Sequence, residues 1–422
     1  MLAVTLAGLA VFCYFIGLPL VLPLLVFFFG IHLFFYKKVS ARLFLHLGFL
    51  LVLVLATAYV FKLYQVPSLY LPVAAVAMLT MLLFNDVQLA FMMAFMSSAV
   101  AGMMLGWSLD QTLIFFMGSL AGAYKVKEAR KQSSLWLAGA LVALVQAVGF
   151  LMIEPNFSKD VVVYILNGIG AGGFVILTWK IFEMLFGEIT NFTLLELSDS
   201  SHPLLRRLVV EAPGTYHHSL IVSNLAEAAA DAVGAHGLLA RVGAYYHDIG
   251  KMVKPEYFTE NQLVAGNKHD RLEPSISRLV ILNHVKEGVE LAKKYKLHSK
   301  ISDFIPQHHG TSLMHYFYHK ALTEGEAQEI GEEDYRYPGP KPQSREAAIV
   351  LLADSAEGAT RALDEHTPQK IEDVVRKVIN NKFIDGQLDE CNLTLRDIDT
   401  IAATFVRVLG AMYHGRVKYP EK

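Results

Sequence analysis

Cysteine and charge are the scarce residues of this sequence. Only two cysteines occur among its 422 residues, Cys13 and Cys391, which excludes a disulfide framework and indicates a reducing compartment for the polar part of the chain. Charge is scarce in one part only: residues 1–187 hold 16 of the 76 charged side chains, and residues 188–422 hold the other 60. A soluble domain carries about a quarter charged residues throughout. The uneven distribution therefore predicts a membrane part followed by a soluble part.

The overall composition excludes two further classes of protein. With 54% hydrophobic residues, the chain is too apolar to be intrinsically disordered. The formal net charge of −2 gives no reason to expect binding to a nucleic-acid polymer. The partners that we expect are the lipid bilayer and a ligand of the polar part.

Seven charge-free stretches in the first part predict seven membrane spans. A helix that crosses the hydrocarbon core needs about 20 apolar residues, and most of the stretches reach or nearly reach that length. They cover residues 1–36, 43–61, 63–85, 87–109, 111–124, 132–153 and 161–179. The first contains Pro19 and Pro23, so it is either one long kinked helix or two short ones. The stretch 111–124 is the weakest span.

Two basic clusters orient these spans in the membrane. They are Lys37, Lys38 and Arg42 after the first span, and Lys125, Lys127, Arg130 and Lys131 after the fifth. Counting alternately from an outside N-terminus puts both clusters on the cytoplasmic side, as the positive-inside rule requires. Residues 188–422 are then cytoplasmic, and the protein is a multi-pass protein of the cytoplasmic membrane. The span centres lack the charged pairs of transporters, which favours an anchor or sensor.

The polar part predicts a short connector and a helical domain. Residues 188–210 favour short helices interrupted at Pro203 without a long flexible linker, so we expect the domain to lie close to the membrane helices. Residues 211–422 show helical periodicity and little strand pattern. The periodic segments are 219–233, 237–250, 274–296, 344–363, 368–381 and 394–414. The predicted fold class is all-α: about seven transmembrane helices followed by an all-α domain.

Histidine is concentrated in the polar part, which holds 14 of the 16. Several histidines and two aspartates lie in or beside apolar helix segments: His218, His247, Asp248, His284, His308, His309 and Asp354. A lone polar residue there is costly without a partner, and a metal ion supplies one. Seven ligands are too many for one metal but suit two metals that share a carboxylate. The absence of thiolate favours iron or manganese over structural zinc.

Each of these residues taken singly is also typical of a hydrogen-bonded core residue. The ordered series, with His-Asp-Ile-Gly-Lys at residues 247–251, indicates a metal site. It resembles the HD-domain metal phosphohydrolases, and the Ile-Gly after His247-Asp248 is typical of their HDIG subgroup. Further motifs resemble the seven-transmembrane HD family of PgpH type over nearly the whole chain. They are found at residues 214–219, 245–251, 260–262, 308–311, 336–342, 352–355, 385–388 and 413–420.

The resemblance implies a metal-dependent phosphodiesterase that hydrolyses cyclic di-AMP to linear pApA. It implies that one metal binds His218, His247, Asp248 and Asp354. The second metal would bind His284, His308 and His309, with Asp248 bridging both. A hydroxide that bridges the metals would attack phosphorus, the usual two-metal arrangement for phosphate esters. His247, Asp248 and Lys251 are then the expected catalytic residues.

Lys251, Arg361 and Tyr246 are the expected substrate contacts. Lys251 lies on the same helical face as Asp248 and is either a phosphate contact or a solvated surface lysine. Arg361 lies two turns past Asp354 and either reaches a phosphate or holds a carboxylate. Tyr246 is a candidate for stacking on adenine, although aromatic residues in such helices more often belong to the core. The loop 331–343 either covers the substrate or is an ordinary surface loop.

Several alternatives stay open at this point. The site could hydrolyse another cyclic dinucleotide or a nucleotide, or the protein could be a non-enzymatic membrane receptor for nucleotides. A homodimer is neither favoured nor excluded. Members of the family usually carry a further N-terminal helix and a large extracytoplasmic domain before the seven helices. This sequence starts at or just before the first of the seven, so we expect either a short form or a truncated one.

Overall fold

The structure is a computed structural model that describes residues 30, 40–104, 106, 108–127, 129–262, 267–324 and 331–413. Helices dominate these residues, and the one isolated β-bridge among them joins Leu313 and Arg336. The all-α prediction is therefore confirmed. Contacts divide the described residues into two compact units, with the boundary between Thr193 and Leu194. This boundary falls inside the predicted connector of residues 188–210.

The first unit is a bundle of apolar helices. In chain order they are α1 (Ala41–Leu63), α2 (Ala74–Phe84), α3 (Val87–Met104), α4 (Leu109–Lys127), α5 (Ser133–Ile153) and α6 (Lys159–Phe186). Among the described residues, α1, α3, α5 and α6 have the length and the apolar composition to cross a membrane. A short helix, α7 (Asn191–Leu197), follows at the boundary between the units.

Two predicted spans differ from the helices that form. The stretch 63–85 contains a 3-10 turn at Ser68–Tyr70 before α2, which has 11 residues. Pro67 and Pro72 lack an amide N–H and disfavour helix in the residue before them, so a continuous helix does not form. The stretch 111–124 becomes α4, a helix of 19 residues with charged side chains near both ends. The count of seven is thus approximate, and the stretch 1–36 lies outside the described residues apart from residue 30.

Small residues allow α5 and α6 to pack closely. A Cβ atom at Gly168 would lie 2.2 Å from the backbone nitrogen of Ala143, so a larger residue does not fit there.

Near the end of α6, the buried carboxylate of Glu183 accepts hydrogen bonds from Thr190 N at 2.7 Å and from Lys180 Nζ at 2.8 Å. These contacts satisfy the acid locally.

The second unit consists of helices and short 3-10 segments. Its helices are α8 (Pro203–Glu211), α9 (Pro213–Ala232), α10 (Gly237–Tyr246), α11 (Pro274–Lys294), α12 (Ser299–Ser302), α13 (Phe304–Gln307), α14 (His315–Glu324), α15 (Arg345–Arg361), α16 (Pro368–Ile384) and α17 (Leu395–Met412). The 3-10 segments are Ile249–Val253, Pro255–Tyr257, Thr259–Asn261, Lys268–Arg271 and Glu332–Tyr335. Pro203 begins α8, in agreement with the interruption predicted there.

Five helices of this unit surround one apolar core. The fully buried side chains come from α9, α10, α15, α16 and α17, including Leu225, Leu351 and Phe405. Side-chain caps begin four of these helices; at α15, for example, Ser344 Oγ accepts from Ala347 N, and at α17 Thr394 forms a reciprocal capping box with Asp397. The core holds α9 and α15 side by side, and both carry residues of the predicted metal site.

Candidate metal centre

Five segments of the second unit bring the seven predicted metal ligands together. The ligands come from α9 (His218), the residues directly after α10 (His247 and Asp248), α11 (His284), the turn after α13 (His308 and His309) and α15 (Asp354). They form two groups in which the ligand atoms lie within 4.8 Å of one another. The first group is His218, His247, Asp248 and Asp354; the second is Asp248, His284, His308 and His309. These are the two sets implied by the resemblance.

Asp248 belongs to both groups and presents one oxygen to each. Its Oδ2 atom lies 3.2 Å from His247 Nε2 and 3.7 Å from His218 Nε2. Its Oδ1 atom lies 3.4 Å from His284 Nε2 and 3.5 Å from His308 Nε2. A carboxylate with its two oxygens facing two ligand sets is arranged to bridge two cations.

The position of Asp248 depends on the chain leaving the α-helix after Tyr246. Periodicity alone predicts a helix to residue 250, whereas α10 ends at residue 246 and a 3-10 segment begins at Ile249. A Cβ atom at Gly250 would lie 1.8 Å from the carbonyl oxygen of His284. Only glycine allows this approach, and it brings the His247-Asp248 segment against α11.

Hydrogen bonds to the backbone orient three of the histidines. His247 Nδ1 donates to Ala244 O at 2.7 Å, His308 Nδ1 donates to Ile305 O at 2.7 Å, and His284 Nδ1 donates to Ile281 O. With the proton on Nδ1, the Nε2 lone pair of each ring faces the centre of the cluster. This is the usual arrangement of histidines that bind metal ions.

His218 is oriented by a buried carboxylate. Its Nδ1 atom lies 2.7 Å from Glu357 Oε2, and its Nε2 atom lies 3.0 Å from Asp354 Oδ1. Glu357 lies one turn after Asp354 on α15 and is fully buried. Hydrogen-bonded carboxylates behind a ligating histidine fix its orientation and raise its basicity. Sequence reasoning missed Glu357, whose spacing from Asp354 is the only signal for it.

The residues of the cluster fit divalent metal ions. They offer five imidazoles and two carboxylates, a donor set that transition metals bind well. In the described part of the chain, His247 Nε2 and Asp248 Oδ1 are buried and have no hydrogen-bond partner. Buried polar atoms without partners are rare because they are costly, and a bound cation would satisfy both.

The electrostatics of the cluster favour ionised carboxylates. Burial opposes ionisation of Asp354, but its hydrogen bond with His218 and the neighbouring histidines hold its pKa well below the usual value. Burial also lowers the pKa of His284, to about 4, with smaller contributions from His308 and Lys251. Neutral imidazoles and ionised carboxylates are the forms that bind metal ions.

Lys251 lies inside the site and not in solvent. Its Nζ atom is 2.7 Å from Asp248 Oδ2 and 2.9 Å from Glu260 Oε1, and its side chain is 13% exposed. Burial opposes the ammonium form, but the charges of Asp248 and Glu260 raise the pKa of Lys251. The Glu-Asn-Gln motif at residues 260–262 thus supplies Glu260 as a partner of Lys251. The next residue of the motif, Asn261, donates from Nδ2 to Thr215 Oγ1 at 2.8 Å.

The structure contradicts Tyr246 as a substrate contact. Its side chain is fully buried, and its hydroxyl donates to Leu197 O at 2.7 Å. Its ring meets the edge of His202, with centroids 5.7 Å apart. The neighbouring residues His247 and Asp248 turn toward the cluster, and Tyr246 packs away from it into the core.

Arg361 takes the second of the two roles considered for it, because it holds a carboxylate. Its guanidinium lies 3.4 Å from Glu357 Oε1, so it supports the acid behind His218. The spacing of two turns places Arg361 on the same side of α15 as Asp354. The spacing alone does not show that Glu357, which lies between them, is the carboxylate that pairs with Arg361.

The loop 331–343 and the motif at 385–388 support the turn that carries His308 and His309. Arg336 donates to Thr311 O at 3.0 Å and pairs with Asp385 at 3.0 Å. Gln387 Oε1 accepts from Thr311 N at 2.8 Å. The ring of Tyr337 stacks on His309 with centroids 4.1 Å apart. These supporting roles can be recognised only from the tertiary structure. The motif at 413–420 lies outside the described residues except for Tyr413.

Two family models match the chain in succession. Residues 5–190 match the model described as "7TM receptor with intracellular HD hydrolase", and residues 215–359 match the HD domain. The chain belongs to the seven-transmembrane HD family. Together with the four long apolar helices, this match identifies a membrane protein that carries an HD domain.

Relatives and solved structures agree with the family. Cyclic-di-AMP phosphodiesterase PgpH of Bacillus subtilis is 38% identical over 403 residues, which cover 92% of this chain and 56% of that protein. The protein of the same name from Listeria monocytogenes is 41% identical over 319 residues, covering 74% and 44%. The chain thus spans about half the length of these relatives. The solved HD domain of L. monocytogenes PgpH in complex with cyclic-di-AMP is 48% identical, covers 51% of this chain and 100% of that one, and has a TM-score of 0.50.

Proposed function

We propose that this protein is a membrane-anchored, metal-dependent phosphodiesterase that hydrolyses cyclic di-AMP to linear pApA. The observation that carries the proposal is the pair of ligand groups that share Asp248. Sites with two adjacent metals are typical of phosphate-ester hydrolysis. The substrate is supported by the names of the PgpH relatives and by the HD domain solved with cyclic-di-AMP.

In this proposal seven residues hold two divalent transition metals, for which iron or manganese suits the nitrogen and oxygen donors best. His218, His247, Asp248 and Asp354 hold the first, and His284, His308 and His309 hold the second together with Asp248. When bound, the two ions supply Lewis acidity, which lowers the pKa of a water nucleophile and neutralises charge on the phosphate.

The protein's own contribution is preorganisation of these ligands. The backbone carbonyls behind His247, His284 and His308 fix which nitrogen faces the site. Lys251 is already engaged by Asp248 and Glu260, so we assign it to holding Asp248 ionised and oriented and not to a free phosphate-binding cation. Groups fixed before substrate binds need no reorganisation during the reaction.

We also infer that the HD unit lies in the cytoplasm. The basic residues Lys125 and Lys127 in the last turn of α4, and Arg130 and Lys131 after it, support this orientation.

A hydrolysis assay with product identification tests the proposal. The full chain is purified in detergent, loaded with Mn²⁺ or Fe²⁺ and incubated with cyclic di-AMP, and the products are separated by chromatography and weighed by mass spectrometry. We expect pApA from the wild type and none from Asp248→Ala. His319→Ala, an exposed histidine of α14 outside both ligand groups, is the matched control.

Two outcomes would replace the proposal. Hydrolysis of another cyclic dinucleotide or a nucleotide in place of cyclic di-AMP would change the substrate but keep the enzyme class. Tight binding of cyclic di-AMP with no product, under full metal loading, would make the protein a receptor.

A further inference from the structure

The cations around the metal centre differ in how they are paired. Lys251 is held by Asp248 and Glu260, and Arg361 lies 3.4 Å from Glu357. Arg336 lies 2.8 Å from Glu332 and 3.0 Å from Asp385, and Lys341 lies 3.5 Å from Asp389. Each of these positive charges already has a carboxylate partner within the protein, so its charge is partly neutralised before a substrate phosphate approaches.

Lys382 is different. It lies in the last turn of α16, and its Nζ atom donates to the hydroxyl of Ser312 at 2.6 Å. Within the described part of the chain, no carboxylate forms an ion pair with it. The side chain is only partly exposed, and burial lowers its pKa, with Asp354 and Asp385 acting in the opposite direction. An ammonium in these surroundings gains from the approach of an anion.

The structure fixes this ammonium beside the second ligand group. Ser312 closes the turn that begins at His309, since its amide donates to His309 O at 3.1 Å. Thr311 N, in the same turn, donates a hydrogen bond to Gln387 Oε1. Gln387 lies five residues after Lys382. One end of the contact thus belongs to the turn that carries the ligands, and the other to the last turn of α16.

A cyclic dinucleotide would gain from a positive charge outside the metal-ligand cluster. A cyclic dinucleotide carries two phosphodiesters, each with one negative charge. In the proposed function the metals would hold the phosphodiester that is cleaved, and a cation of the protein would stabilise the charge of the second one. Resting on the proposed function, we infer that Lys382, held by Ser312 at the edge of the cluster, binds the phosphodiester of the cyclic dinucleotide that is not cleaved.

Kinetics of Lys382→Met on the full chain test this inference. A charged hydrogen bond to phosphate corresponds to a factor of about 10–100 in binding. An interaction made equally in the ground state and the transition state appears in KM and not in kcat. We expect KM for cyclic di-AMP to rise about 10- to 100-fold. We expect a much smaller rise for bis(p-nitrophenyl) phosphate, which has one phosphodiester. Lys377→Met, an exposed lysine on the same helix, is the matched control.

Melting temperature and metal content are measured for each variant, and Lys382→Gln replaces Lys382→Met if the latter does not fold. An unchanged KM for cyclic di-AMP would overturn the inference alone. Equal losses on both substrates, or a loss confined to kcat, would also overturn it, because they indicate a structural role or a contact with the cleaved phosphate. Wild-type protein that hydrolyses bis(p-nitrophenyl) phosphate but leaves cyclic di-AMP intact would overturn the proposed function, and this inference with it.

Discussion

Glu357→Gln removes the negative charge behind His218 and keeps the size of the side chain. In the structure, the Glu357 carboxylate lies 2.7 Å from His218 Nδ1 and is fully buried. Burial alone would lower the pKa of His218, but its hydrogen bonds with Asp354 and Glu357 raise it to about 9. The variant amide still accepts a hydrogen bond from Nδ1, but it no longer stabilises positive charge on the ring.

The expected effect is weaker metal binding and a small loss of stability. A hydrogen bond to a charged group contributes about 1.5–3 kcal/mol, which corresponds to about 10–100-fold in affinity. Loss of the partner behind a ligating histidine typically has an effect of the same size. Arg361, which pairs with the other oxygen of Glu357, is 42% exposed and is easily solvated, so its loss of partner adds little.

The assay is a titration of chelator-treated full chain with Mn²⁺, followed by metal analysis and by calorimetry. Glu372→Gln is the control, because that acid forms an exposed ion pair with Arg376 on α16, away from both ligand groups. An affinity for Mn²⁺ that is unchanged in Glu357→Gln would refute the reasoning that this acid sets the basicity and orientation of His218.

Three further predictions concern packing and metal loss. Gly250→Ala should lower the free energy of unfolding by about 1–3 kcal/mol and weaken metal binding, because its Cβ atom would meet His284 O. Gly358→Ala is the control, because the space around its Cβ position is open. Equal melting temperatures of the two variants would contradict this prediction. Gln387→Ala should lower kcat/KM about tenfold, because the turn of His308 and His309 loses its hydrogen bond at Thr311 N; unaltered kinetics would contradict this role. Removal of metal by a chelator should lower the melting temperature and abolish hydrolysis, and Mn²⁺ should restore both; an activity that resists chelation would contradict a metal mechanism.

The sequence was most informative where a residue type has one dominant use. Paired histidines and aspartates in apolar helices indicated ligands, and the seven positions do lie together in two groups. Charge-free stretches likewise indicated apolar helices, and four of the described ones are long enough to cross a membrane. A polar group in an apolar helix is costly to bury without a partner, which leaves few roles for it other than a ligand or a hydrogen-bonded core residue. A long apolar stretch is costly to expose to water, which leaves few places for it other than a membrane or a core.

The residues that support the site were less predictable because their roles depend on tertiary contacts. Tyr246 and His247 are neighbours in sequence, yet one packs into the core and the other faces the ligands. Arg361 has the spacing from Asp354 that would suit a phosphate contact, but in the structure it pairs with Glu357. Lys382 has no motif of its own, and only the fold brings it to Ser312.

The number of metal ions per chain tests the two-metal centre most directly. The full chain is loaded with Mn²⁺, freed of unbound metal and analysed by mass spectrometry for metal content, beside Asp248→Ala. The shared position of Asp248 predicts two ions per chain in the wild type and a clear loss at both sites in the variant. One ion or none in the wild type, or a metal content unaffected by Asp248→Ala, would contradict a centre in which this carboxylate bridges two metals.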